Sequence, residues 1–286
     1  MPPLIGVATC ADVPALDEDG PLLIAALAEA GAVARPVVWD DPAVDWTAFD
    51  RVLVRSTWDY PLRRAEFLDW ARSCPRIANP VDVLVWNTDK RYLDDLAAAG
   101  LPTVPTVFVP PGSPWSAPDG EHVVKPTVSG SAADTGRFSD PADPAAAALV
   151  ARLHAQGRTA MVQPYLPGIE VDGETSVVFL GGVLSHAVRR APLLTRPGER
   201  TRVVVADVLA ELRTVPVTAQ QRAVAEAALD AVPGGRERLS YARVDLIPGA
   251  DGPVVLELEA TDCFLFLSRA TTDARRRLAD HLLASL

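Results

Sequence analysis

Along the first third of the chain, short apolar runs alternate with segments whose apolar residues recur every three or four positions. Leu4–Thr9, Val33–Trp39 and Val52–Arg55 have the continuous, β-branched character of buried strands. Between the first two, Gly20-Pro21 opens a stretch with apolar residues at Leu22, Leu23, Ala26, Leu27 and Ala30, and Gly31 stops it. That spacing predicts a helix, as does that of Leu62–Arg72. Strands separated by helices predict a parallel, doubly wound sheet, which gathers ligands beyond the carboxyl ends of its strands. Thr9-Cys10-Ala11-Asp12 and Arg55-Ser56-Thr57-Trp58-Asp59-Tyr60-Pro61 fall at that mouth.

The pattern then changes. A helix is predicted from about Thr88 to Ala99, closed by Gly100 and Pro102. Short strands follow over Thr103–Val109 and His122–Thr127, around a proline-rich turn. Next come a Ser129-Gly130-Ser131 loop, a helix near Pro144–Gln156 and a strand at Thr159–Gln163. Glu174–Arg190 reads as a hairpin turning at Gly181-Gly182. Thr218-Ala219-Gln220-Gln221 is a capping box that opens a helix ending at Pro233-Gly234. Tyr241–Ile247 and Val254–Ala260 form a second hairpin through Asp251-Gly252, and a terminal helix runs from about Ser268. The class is α/β followed by α+β, divided at residues 1–85, 86–162 and 163–286.

The second hairpin concentrates charge. Glu257 and Glu259 share one strand face, and a turn near Asp251 sets Asp245 opposite Glu257 and Arg243 opposite Glu259. At about 5 Å and an effective dielectric near 20, each like-charge pair costs about 3 kcal/mol. Bound Mg²⁺, which takes oxygen ligands, reverses that sign. The other reading is a solvated face with an Arg243–Glu259 cross-strand pair.

Of 27 basic residues only two are lysine, Lys90 and Lys125. Where arginine has replaced nearly every surface lysine, the remaining lysines suit a task that needs a compact ammonium, such as touching a phosphate. Lys90 follows Asn87-Thr88-Asp89, at a helix start where a cation opposes the helix dipole. Lys125 ends an apolar strand before the Ser/Gly loop, whose backbone N–H groups could cradle phosphate oxygens. An exposed lysine and a plain surface loop are the competing readings. Neither GxxxxGK[ST] nor GxGxxG is present. Gln163-Pro164-Tyr165-Leu166 suits either an adenine edge or a simple connection, with Glu170 and Glu174 beyond it. Alternation places His186 on the face of Arg190, where it is a site residue or merely structural. Trp58 and Tyr60 are equally readable as pocket wall and as core.

The 286 residues are 49% hydrophobic and 22% charged, a globular balance. A net charge of -10 argues against broad binding to nucleic acid or anionic membrane. Cys10, Cys74 and Cys263 are odd in number and lack CxxC spacing, so reduced thiols are expected rather than a disulfide frame or zinc site. No apolar run approaches the roughly 20 residues of a membrane span, and the N-terminus lacks a charged signal start, so a cytoplasmic location is expected. A homodimer is compatible with the sequence and nothing in it requires one.

The order of the pieces is informative. Asn87-Thr88-Asp89-Lys90, His122-Val123-Val124-Lys125-Pro126, the Ser/Gly loop, Val162-Gln163-Pro164-Tyr165, Gly173-Glu174-Thr175-Ser176, Arg243-Val244-Asp245 and Glu257-Leu258-Glu259 form one series. Together they resemble the ATP-grasp superfamily of ATP-dependent carboxylate–amine ligases across nearly the whole chain. Arg55–Pro61 and Ser185–Arg190 resemble, within it, the subgroup of cyclo-ligases that makes D-cycloserine from O-ureido-D-serine.

That resemblance implies an ATP-grasp fold: a Rossmann-like substrate domain (1–85), a lid subdomain (86–162) and a C-terminal subdomain with the metal site (163–286). Lys90 and Lys125 would hold ATP phosphates under the loop Ser129, Gly130 and Ser131. Gln163, Tyr165 and Leu166 would take adenine and Glu170 the ribose. Asp245, Glu257 and Glu259 would bind Mg²⁺, although the last position is usually Asn in the superfamily. Arg243 and Arg190 would neutralise the transferring phosphoryl group. Arg55, Thr57, Trp58, Asp59, Tyr60 and His186 would meet an amino-acid-like small molecule, with Arg55 or Asp59 pairing with its charges. The implied reaction forms an acyl phosphate for attack by nitrogen, in a cyclo-ligase; an intermolecular amide ligase and a non-catalytic ATP-binding protein are the alternatives.

Overall fold

The first sheet is parallel, in the order β2-β1-β3-β4, with β1 Leu4–Thr9, β2 Val33–Val38, β3 Arg51–Ser56 and β4 Ile77–Ala78. This is a computed structural model that describes residues 1–130, 132–194 and 211–284. Strand β1 and the centre of β3 (Val52–Val54) are apolar because each face has its own core. Ile5, Val7 and Leu53 pack with Leu23 and Leu27 of α1 (Gly20–Glu29) and Leu278 and Leu282 of α8 (Thr272–Ala284). Ala8, Val52 and Val54 meet Trp39, Phe67 and Trp70, the last two from α2 (Arg64–Ser73).

The second sheet is antiparallel, in the order β5 (Val107–Val109), β8 (Ala160–Pro164), β6 (His122–Pro126) and β7 (Gly136–Phe138). Helix α5 (Pro144–Ala155), capped by Asp143 accepting from the Ala145 N–H at 2.8 Å, covers it with Val150 and Leu153. The third sheet runs β11 (Arg213–Thr214), β10 (Val183–Arg190), β9 (Glu174–Leu180), β12 (Tyr241–Gly249) and β13 (Gly252–Glu259). Gly181 and Gly182 both take positive φ at the β9–β10 turn, which L side chains adopt at a cost. Both hydrogen bonds of the Thr218–Gln221 capping box form at the start of α7 (Ala219–Asp230).

Two expected boundaries move. The cut at 162/163 falls inside β8, whose Gln163 and Pro164 still pair with Val123 and His122 of β6, so the second sheet owns those residues. The helix expected from Thr88 begins later, as α4 (Tyr92–Ala98); a helix that was not expected, α3 (Val81–Asn87), precedes it, and Lys90 lies in the turn between them. Val83, Tyr92, Leu93 and Leu96 share a core chiefly with residues of the third sheet such as Val177, Val244 and Leu258, with Met161 of β8 added to it. Helical spacing identifies an apolar face but not the surface it covers, which is why the 85/86 division does not match the packing. Thr103 bridges Val255, leaving only Val107–Val109 of the expected 103–109 strand in the second sheet. The short helix α6 (Gly168–Asp172) precedes β9, and a 3₁₀ turn over Leu267–Arg269 precedes α8.

Candidate functional site

The β12–β13 ladder sets Arg243 opposite Glu259 and Asp245 opposite Glu257. One oxygen each from Asp245, Glu257 and Glu259 lies within 4.8 Å of the others. Arg243 donates from Nε to Asp245 Oδ1 at 2.8 Å and reaches Glu259 Oε2 at 2.8 Å. Arg190, from β10, bonds Glu174 and stands 3.4 Å from Asp245 Oδ2. Ser176 of β9 donates to Asp245 Oδ1 at 2.6 Å. These groups come from four adjacent strands of one sheet, which is how residues distant in the chain share a face.

The carboxylates differ in charge state. Burial pushes Asp245 up, but the Arg243 and Arg190 guanidiniums outweigh it and hold its carboxyl at about 2. Burial drives Glu259 the other way; Arg243 opposes it while Glu257 and Asp245 add to it, and the carboxyl rises to about 8. Three convergent carboxylate oxygens with mutual repulsion fit a hard divalent cation.

Lys90 Nζ lies 2.9 Å from Glu257 Oε1 and donates to Ser129 O at 2.8 Å and Ser129 Oγ at 3.2 Å. Lys125 lines the same cavity, of about 220 Å³. Among the described residues Lys125 forms no hydrogen bond or ion pair, and burial lowers its pKa. Ser129 and Gly130 line this cavity too; Ser131 lies outside the described residues. Gln163, Tyr165 and Leu166 form another part of the wall, though the Gln163 amide donates away to Thr106 Oγ1 at 2.8 Å. The Glu170 carboxylate accepts from Arg137 Nη1 at 2.7 Å and from the Tyr165 hydroxyl at 3.1 Å, and is not part of the wall. A role with ribose therefore requires it to leave Arg137.

Of the expected substrate residues only Trp58 lines the cavity. Arg55 is buried, 3.6 Å from Asp17 and 3.5 Å from Asp19, and donates from Nη1 to Cys263 O at 2.8 Å. It is a strut between domains rather than a substrate-facing charge. Asp59 accepts from Trp39 Nε1 at 2.9 Å and pairs with Arg63 at 3.4 Å, so it too is committed elsewhere. Tyr60 packs its ring 5.1 Å from Phe67, in the core. Thr57 is buried, its hydroxyl unpartnered among the described residues. His186 is buried on β10 with Nδ1 2.8 Å from Ser185 Oγ, outside the cavity wall, and burial lowers its pKa.

Sequence reasoning missed the wall formed just after β13: Asp262, Phe264 and Phe266. Burial is the largest influence on Asp262 and raises its carboxyl to about 7 against Arg55, Lys90 and Arg243. A carboxylate directly beyond a strand that carries Glu257 and Glu259 was the available signal. It was also silent on Arg137, whose guanidinium covers the Tyr165 ring at 3.5 Å.

A family model described as the N-terminal domain of D-cycloserine synthetase DcsG matches residues 5–81. The cycloserine biosynthesis protein DcsG of Streptomyces lavendulae is 37% identical over 278 residues, covering 91% of this chain and 92% of that one. This chain belongs to the DcsG family. A crystal structure of D-cycloserine synthetase DcsG superposes with a TM-score of 0.89 at 34% identity, covering 99% of each chain. Two more distant structures share the fold. One is a RimK-domain ATP-grasp protein of Sphaerobacter thermophilus, with TM-score 0.66 and 21% identity over 97% of this chain and 99% of that one. The other is a D-alanine–D-alanine ligase of Bacillus anthracis, with TM-score 0.66 and 15% identity over 99% and 96%. The DcsG-family fold is thus ATP-grasp, and this member is an ATP-dependent ligase. No helix among its described residues is long and apolar enough to cross a membrane.

Proposed function

We propose that this DcsG-family ligase activates the carboxylate of O-ureido-D-serine as an acyl phosphate and closes it onto the substrate's own nitrogen to give D-cycloserine. One observation carries the reading: Lys125, without a hydrogen-bonding or ion-pairing partner among the described residues, shares one cavity with the carboxylates of Glu257 and Glu259. An unpaired, half-buried ammonium beside a site fitted for a divalent cation is what a nucleoside triphosphate needs.

Lys125 and Lys90 bind the phosphates, with the Ser129–Gly130 backbone covering them. Asp245, Glu257 and Glu259 would hold Mg²⁺, which when bound neutralises phosphate charge. A substrate carboxylate oxygen attacks the γ-phosphorus and ADP departs. Arg190 and Arg243 neutralise the charge that develops on the transferred group. The nitrogen bonded to the side-chain oxygen then attacks the activated carbonyl, and phosphate leaves with the former carboxylate oxygen. The carbamoyl group departs as carbon dioxide and ammonia, with one water consumed overall. Because both reacting groups belong to one molecule, no second amino-acid site is required.

The test is to follow ADP, phosphate and product mass with Mg-ATP and O-ureido-D-serine. ADP release together with a product lighter by carbon dioxide and ammonia is expected. Release only when a second amino acid is supplied overturns cyclisation in favour of an intermolecular ligase. ATP binding without release under any of these conditions overturns catalysis.

A further inference from the structure

The loop after β13 turns Asp262, Cys263, Phe264 and Phe266 toward the cavity. Every other carboxylate on that wall is matched by a cation: Glu174 by Arg190, Glu257 by Lys90 and Glu259 by Arg243. Asp262 is not. Among the described residues no side chain donates to it and no cation pairs with it. A carboxylate held without a counter-ion in a partly desolvated site is costly unless a ligand supplies the positive charge.

The surroundings specify what kind of cation. Phe264 lies 5.3 Å from Trp58 on the same wall and stacks 6.2 Å from Phe266. Mg²⁺ demands several oxygen ligands, whereas one carboxylate beside aromatic rings suits an organic ammonium. Asp262 stands three residues beyond Glu259, so such an ammonium would sit close to where a carboxyl group is activated. In an α-amino acid those two groups are one carbon apart.

The loop is also held rigidly on both sides of Asp262. Asn87 Oδ1 accepts from the Ala260 N–H at 2.7 Å and the Thr261 hydroxyl at 2.9 Å. The Tyr241 hydroxyl bonds both Val54 O and Thr261 O. Arg55 holds Cys263 O at 2.8 Å, and Asp19 accepts from the N–H groups of Leu265 at 2.8 Å and Leu267 at 2.6 Å. A carboxylate fixed in this way loses little freedom when a ligand arrives, which favours binding.

We propose that Asp262 recognises the α-ammonium of the amino-acid substrate and thereby orients its carboxyl group for activation. This rests on the reading of the substrate as an amino acid given above. Once the carboxylate is phosphorylated, the ammonium is the fixed charge by which the intermediate is still gripped.

The test uses the full chain loaded with Mg²⁺ and a non-hydrolysable ATP analogue. Calorimetry measures the affinity for O-ureido-D-serine and for its analogue lacking the amino group, 3-(ureidooxy)propanoate. The wild type should prefer the amino compound by on the order of 10- to 100-fold. Asp262→Asn should lose that preference, with affinity for the des-amino compound and the nucleotide changed by less than about twofold and the thermal midpoint not lowered; Asp262→Glu should keep part of it. Equal discrimination in wild type and Asp262→Asn overturns the role of Asp262 and leaves the enzymatic reading standing. Failure of the wild type to bind either compound overturns the substrate reading and this inference with it.

Discussion

Lys90 Nζ sits 2.9 Å from Glu257 Oε1, a contact that ties the turn before α4 to the last strand of the third sheet. Glu257 also belongs to the carboxylate trio, so a cation bound there competes with Lys90 for it. On the proposed reading, Mg-ATP would draw Lys90 from Glu257 to a phosphate, freeing that carboxylate for the cation. Glu257→Gln is expected to reduce turnover by at least about 100-fold. Steady-state kinetics with ADP detection, beside a melting curve showing an intact fold, checks this.

Lys125 offers a sharper separation of stability from function. It is half-buried, with no ion-pair partner among the described residues. Lys125→Met keeps the packing of the stem and removes an uncompensated charge, so stability should rise by about 1 kcal/mol while ATP turnover is lost. Denaturant titration and an ADP-release assay on the same preparation read both. A less stable variant would mean that the ammonium has a protein partner after all.

The pH dependence of the metal site follows from Glu259, raised from its usual 4.5 to about 8 by burial in metal-free protein. Between those values the folded protein holds a proton that the unfolded chain has lost. This group's contribution to metal-free stability therefore falls as pH rises from about 4.5 to 8. On the proposed reading Mg²⁺ would displace that proton, so the gain in melting temperature on adding Mg²⁺ should increase from pH 6 to pH 8. Melting curves in EDTA and in Mg²⁺ test the sign, and a gain that shrinks with pH would refute it.

Arg55 separates a strut from a substrate contact. Arg55→Leu leaves Asp17 and Asp19 buried without their cation, and should cost about 3 kcal/mol of stability. Because the lost bond to Cys263 O loosens the Asp262 loop, KM for the amino acid should rise more than KM for ATP. A substrate-facing arginine would instead leave the melting temperature unchanged.

Thr218→Ala serves as a control far from the cavity. It removes the bond from the Gln221 N–H to Thr218 Oγ1 at 3.1 Å, and should cost about 1 kcal/mol with kcat unaffected. Chemical denaturation and the standard turnover assay give the two readings.

Local rules accounted for the hairpins, the capping box and most helices. The turn at Asp251-Gly252 located the hairpin, but the pairing of Arg243 with Glu259 and Asp245 with Glu257 also needs the bulge between Asp245 and Leu246, which shifts the register by one residue. The same rules missed α3, which leaves Lys90 in a turn between two helices, and misassigned Gln163, whose strand belongs to the second sheet. They also broke down for Arg55, Asp59 and Tyr60. A motif at a strand end names residues near a mouth without saying which of them turn inward, and here Trp58 does while its neighbours do not.

By itself, then, the sequence determined most of the order of strands and helices, the two hairpin turns and the residues that carry positive and negative charge. These depend on spacing, on turn chemistry and on side-chain type, all of which are local. Only the tertiary structure decided which charges cancel one another and which remain for a ligand. Arg55 was matched by Asp17, Asp19 and Cys263 O, and Glu257 by Lys90. Lys125 and Asp262 were left without such partners. That outcome depends on contacts between segments far apart in the chain, and in a low-dielectric interior each buried charge is governed by the partner the fold delivers to it.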